Sequence, residues 1–203
     1  MAGILSNLRN TVIFSVILAI LMYVLYYLMA GDDYNGQNVA IAMMRFAHVV
    51  AGVMWIGLLW YFNFVQIPNM PNIPDEQKPA IGKVIAPAAL FWFRWAALAT
   101  VITGLALIGH TGSFVGTMTI GAMDGFANAK DVFLGVGMWL GLIMAFNVWF
   151  IIWPNQKIAL GLIDAPTEAK APAARKAMLF SRTNTLLSLP MLVAMAGSQT
   201  LFG

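Results

Sequence analysis

The stretch VAIAMMRFAHVVAGVMWIGLLWYFNFV, residues 39–65, decides the fold. Its only basic side chains are Arg45 and His48, and it is longer than the roughly 20 residues a helix needs to cross a bilayer. Working outward, residues 12–30, 84–108, 132–153 and 178–201 are further stretches of that kind. Hydrophobic residues make up 61% of the 203 and charged residues 9%, with a mean hydropathy of +0.80, well outside the range of soluble domains. The expectation is an all-α integral membrane protein, a single domain over residues 1–203 folded as a five-helix transmembrane bundle. The first run follows a short polar segment with Arg9 and shows no small-x-small cleavage pattern, so it reads as a retained helix and not a signal peptide.

Basic residues in short loops set the orientation, because they stay on the cytoplasmic side. With the N-terminus inside, Arg9, Lys78, Lys83, Lys157, Lys170, Arg175, Lys176 and Arg182 fall inside and only Lys130 falls outside. The outer loops carry Asp32, Asp33, Asp124 and Asp131 instead. This predicts a cytoplasmic N-terminus, a periplasmic C-terminus and a multi-pass location in the bacterial inner (plasma) membrane. The net charge of +3 is scattered over loops and helix ends, which argues for lipid and against nucleic acid as the partner. Without cysteine the chain holds no disulfide, no iron–sulfur cluster and no covalent c-type haem. A redox centre would have to use His, Met or a non-covalent group such as haem b.

Arg45, His48, Gly52, Trp55, Leu59 and Asn63 recur at spacings of three and four, so they share one face of the second helix. A buried imidazole has three readings: a haem ligand, a structural histidine bonded to a carbonyl or carboxylate, or a proton-transfer or quinone-site group. Gly52 suits the close approach of a neighbouring helix, the reading preferred for the glycine alone, and a porphyrin edge would explain it too. His110 sits at the end of the third helix, while His48 lies about 13 Å inside its own, so the two match poorly in depth as axial ligands. Met138 and Met195 lie nearer that depth, although most of the fourteen methionines are expected to fill the core. Arg45 is expected to pair with Asp131 or to hold a haem propionate. Arg94 is expected to snorkel or to stack on Trp92, Phe93 or Trp95.

Between these helices, IPNMPNIPDEQKP within residues 66–83 places Pro68, Pro71, Pro74 and Pro79 close together, predicting a stiff, extended connector. TGSFVGTMTIGAMDGFANAK, residues 111–130, is Gly-rich without a helical period and reads as a surface loop or a re-entrant cap. Asn147, Asn155, Arg182, Asn184, Thr185 and Ser188 form a polar cluster where the last two helices meet. It serves either interhelical hydrogen bonding or a cytoplasmic-side ligand or partner.

Three segments carry a family resemblance: RFAHVVAGVMWIG at 45–57, NVWFIIWPNQ at 147–156 and SRTNTLLSLPM at 181–191. They resemble the membrane domain at the N-terminus of the bacterial cytochrome-c-linked urate oxidases, a family that also has stand-alone members. The pattern His48, Gly52, Trp55, Gly57 also resembles small haem-associated four-helix membrane proteins. The family's full-length enzymes end in a cytochrome c domain with a Cys-x-x-Cys-His attachment, which this chain lacks, so the resemblance does not extend to urate oxidation by this polypeptide alone. It implies a small redox-associated membrane subunit, with His48 as a haem b ligand and electrons passed to or from a separate cytochrome or membrane-complex partner. The alternative is a cofactor-free accessory subunit of a larger respiratory assembly.

Overall fold

The computed structural model describes residues 2–31, 34–111 and 113–202, so Asp32, Asp33 and Gly112 of the two loops above lie outside the described residues. Among the described residues all regular structure is helical. Among the described residues, four helices are long and apolar enough to cross a membrane: α1 (Leu8–Ala30), α2 (Gly36–Asn72), α3 (Lys78–Thr111) and α4 (Ala129–Ala159). The chain divides into two compact units, Met1–Met43 and Met44–Gly203. In the first, Asn7 caps α1 by accepting from the amides of Arg9 and Asn10, which starts the helix four residues before the apolar run. Tyr34 packs edge-on against Tyr27, with ring centroids 5.0 Å apart, and tilts against Tyr26.

The second unit adds α5 (Thr167–Thr200), which begins well before the expected residue 178. Its first turns, TEAKAPAARKA, are rich in good helix formers but not apolar, so a search for apolar runs passes over them. Lys170, Arg175, Lys176 and Arg182 on its first half, and Asn184, Ser188, Ser198 and Gln199 on its second, keep α5 out of the membrane-length apolar set. The buried stripe Ala173, Ala177, Ser181, Asn184, Ser188, Met191, Ala194 and Ser198 is made mostly of small residues, which lets α5 lie close against α4. A Cβ on Gly137 would sit 2.9 Å from the Ala194 methyl, so only glycine permits that approach. The apolar centre is formed by Trp55, Leu59, Phe93, Ala97, Met144 and Val148, all at 1% exposure or less.

Hydrogen bonds tie the helices across this centre. Asn147 Nδ2 donates to Asn184 Oδ1 at 2.9 Å, and Asn184 Nδ2 donates to the Met144 carbonyl at 2.9 Å. Trp60 Nε1 donates to Ser188 Oγ, and Asn63 Nδ2 donates to Ser181 Oγ at 2.8 Å. The expected polar cluster therefore forms, but through three of its six members. Arg182 is exposed, while Asn155 and Thr185 bond within their own helices.

The proline-rich connector departs from expectation. Helix continues to Asn72 and resumes at Lys78, leaving only residues 73–77 outside it. Pro68, Pro71 and Pro79 each fall within the first two positions of a short helical segment, where a missing N–H costs little. Three helices also share one device: π-helical turns at Tyr61–Gln66, Ile81–Ile85 and Asn147–Ile152, each followed two residues later by Pro68, Pro87 or Pro154. In every case the residue before the proline bonds back five positions, Ile67 to Phe62, Ala86 to Ile81 and Trp153 to Val148. The widened turn accommodates the proline ring and satisfies the backbone that a regular helix would leave unpaired.

The segment after α3 is folded, with helical turns at Phe114–Met118 and Ala122–Asp124. Gly121 and Gly125 supply left-handed corners around the second turn. Thr117 is fully buried against α4, where a Cβ on Gly135 would collide with the Thr117 carbonyl.

Candidate functional site

His48 is half-buried between α2 and α3. Its Nδ1 lies 3.0 Å from the Thr100 carbonyl, an acceptor only, so Nδ1 carries the proton and donates; Thr103 Oγ1 is 3.2 Å away. Gly104 supports the ring from below, since a Cβ there would stand 2.9 Å from His48 Cε1. Nε2 is left as the acceptor nitrogen, which is the tautomer found in metal-ligating histidines held by a carbonyl. Beside the ring is a void of about 60 Å³ lined by Trp55, Thr100, Gly104, Met138, Met191 and Met195 among others. Trp55, Met138 and Met195 thus line one void with His48.

The void has room for a few water molecules. Pockets for drug-sized ligands run to roughly 300–1,000 Å³, so a porphyrin does not fit between these walls. The remaining candidates lie elsewhere. His110 is exposed at the far end of α3 and does not line the void. Arg45 is exposed and makes no ion pair among the described residues. Asp131, the partner expected for it, is buried at the start of α4, with Oδ2 accepting from Asn128 Nδ2 at 3.0 Å. Similar depth does not fix the direction in which two side chains point. Gly52 faces the Thr100 methyl at 4.0 Å, the helix-packing reading of that glycine. Arg94 stacks on Trp153, its Cζ 3.4 Å from the ring centroid, in place of its sequence neighbours. Lys157 approaches the same ring at 5.7 Å.

A larger cavity of about 400 Å³ opens at the connector end of the second unit, between α2, α3, α4 and α5. Phe62, Gln66, Phe93, Gln156, Arg175 and Ser181 line it, and the other walls are aliphatic or glycine. All three π-helical turns contribute: Phe62 and Gln66 from the first, Ile81 and Gly82 from the second, Ile152 from the third. Gln66 Oε1 and Asn63 Oδ1 are buried and find no donor among the described residues. Ser181 Oγ accepts from Asn63, and its own proton is not given to any partner among the described residues. This cavity has room for a small molecule and both donor and acceptor groups to orient it. Sequence reading singled out the motifs that hold Gln156 and Ser181 but missed the cavity. The available signal was the three prolines at the same end of three apolar runs.

Comparison with known families agrees with these motifs over part of the chain. Residues 110–200 match the family model described as urate oxidase N-terminal, which takes in the NVWFIIWPNQ and SRTNTLLSLPM segments but not the His48 helix. No curated protein and no solved structure matches the chain. Over residues 110–200, from the end of α3 through α4 and α5, the chain is similar to the urate oxidase N-terminal family.

Proposed function

We propose that the protein is a small redox-associated subunit of a bacterial inner-membrane assembly that works without haem at His48. The similarity of residues 110–200 to the urate oxidase N-terminal model supports the redox association. The observation that carries the haem-free part is the tied setting of His48, with Nδ1 on the Thr100 carbonyl, Gly104 against the ring and only about 60 Å³ beside it. His48 then acts as a tie between α2 and α3, and electrons pass through a partner, either a separate cytochrome or a larger respiratory complex. In this reading α5 is the fifth crossing, its buried polar stripe covered by α4, with the N-terminus cytoplasmic and the C-terminus periplasmic. The basic loop residues support that orientation.

A reduced-minus-oxidised visible spectrum of the chain purified gently from native membranes tests the haem-free reading. A colourless, folded protein is expected. A Soret and α-band that disappear in His48→Ala would instead establish His48 as a haem ligand, with Nε2 the coordinating nitrogen.

A further inference from the structure

We propose that the void beside His48 is a copper(I) site, with His48 Nε2 and the thioether sulfurs of Met138, Met191 and Met195 as its donors. It rests on the haem-free reading in one respect, that Nε2 is not already claimed by a haem iron. Two acceptors on α3 set the tautomer. Thr103 Oγ1 donates its own proton to the Ala99 carbonyl at 2.6 Å, so toward His48 it is an acceptor, as the Thr100 carbonyl is. Nδ1 therefore carries the ring proton, and the lone pair is on Nε2. That nitrogen has no partner among the described residues and, unlike Trp55 Nε1 on the same void, is not sealed in. A histidine fixed through Nδ1 to a carbonyl, with Nε2 open, is held as a metal ligand is held.

The other donors select the metal. Met138 comes from α4, while Met191 and Met195 lie four residues apart on one face of α5. Met138 and Met191 are buried, at 8% and 6% exposure, and an unbranched thioether chain can turn its sulfur toward an ion without moving the backbone. Most of the fourteen methionines fill the core, but these three share a void with an imidazole whose lone pair is unpaired. Neither a carboxylate nor a second histidine lines it, and the chain has no cysteine. A dication would keep its full charge in this neutral, apolar shell, and the cost of taking an ion out of water rises with the square of its charge. Thioethers with an imidazole suit the soft monocation copper(I) instead. The space agrees: about 60 Å³ is too little for a porphyrin, whereas a bare ion takes less room than one water molecule. His48, Gly104, Leu105, Gly141 and Leu142 on the wall are only partly buried, so the void is not sealed. A filled-shell ion adds no visible band, which keeps the site compatible with a colourless protein.

The test is anaerobic titration of the purified full chain in detergent with copper(I) buffered by bicinchoninate, whose colour reports the copper it retains. Saturable withdrawal of a single ion per chain is expected, with X-ray absorption at the copper edge showing both sulfur and nitrogen neighbours. Met138→Leu, Met191→Leu and Met195→Leu preserve side-chain volume and should each weaken capture about tenfold. The triple change should abolish capture with helicity retained. Met123→Leu, at an exposed methionine outside the void, should leave it unaltered. His48→Ala should remove the nitrogen neighbour; if that variant does not fold, the methionine series decides, since it leaves the bond from His48 to Thr100 intact. The proposal is overturned by absent saturation, which leaves water as the occupant, by capture indifferent to the triple change, or by a preference for zinc(II) over copper(I). A colourless protein that takes up no copper removes this site alone. A Soret band dependent on His48 removes the haem-free reading and the copper site with it.

Discussion

At His48 the deciding contacts are a carbonyl and a glycine on the neighbouring helix. Because Nδ1 is held by Thr100, the imidazole cannot swing away from a methyl placed at Gly104, which would meet Cε1 at 2.9 Å and Nδ1 at 3.2 Å. Gly104→Ala should therefore lower stability by about 1–3 kcal/mol, read as a fall in melting temperature in detergent. Gly57→Ala, where nothing lies within 4 Å of a helical glycine, should not lower stability and should raise it by up to about 1 kcal/mol. The inward face of α2 was legible from spacing over its second half, since Trp55, Leu59 and Asn63 are buried, but not at Arg45, which is exposed. The partners of Arg45 and Arg94 were not legible, because a choice between Asp131, a ring on a neighbouring helix and a local aromatic depends on how whole helices are rotated. Trp153→Leu should weaken the α3–α4 contact by about 0.5–2 kcal/mol through loss of the Arg94 stack, measured by the same melt. In the connector, Lys78 Nζ donates to Asp75 Oδ1 at 2.6 Å, and that bond, with the lysine charge, holds the Asp75 carboxyl below its ordinary range. A lowered carboxylate pKa stabilises the folded turn above the unfolded value, and the effect disappears as pH falls through the folded one. An NMR titration of Asp75 should show that shift, and Lys78→Met should abolish it.

Among the elements, α4 and α5 depend on Asn184, which donates to the Met144 carbonyl and accepts from Asn147 with no exposed surface. Asn184→Leu breaks both bonds and leaves Asn147 Nδ2 and the Met144 carbonyl without this partner. The expected cost is about 1–3 kcal/mol, and Asn147→Leu combined with it should cost less than the sum of the two single changes. A double-mutant cycle on thermal unfolding measures this. The sequence carried this pair plainly, as two asparagines on apolar helices that must bury them somewhere. It was less informative about where helices begin and end: a polar start such as that of α5 is invisible to hydropathy, and prolines read as breaks when a widened turn can absorb them.

At the scale of the whole molecule, the absence of cysteine makes the orientation directly testable. A cysteine introduced at Glu76 should react with a membrane-impermeant maleimide only when the cytoplasmic face is open, and one at Met123 should react in intact spheroplasts. The reverse pattern would invert the proposed topology. Helical content and membrane-length spans followed from composition, while the ligand-sized cavity depended on backbone detail that no residue count contains. That detail has a further effect on how related chains should be aligned. A turn that reaches five residues back holds one residue more than a regular turn, which shifts the angular position of everything beyond it by about 100°. Each of Pro68, Pro87 and Pro154 is thus coupled to a surplus residue just upstream. A homologue lacking one of these prolines should carry a single-residue gap at that level, and aligning it without the gap would put the wrong side chains inside.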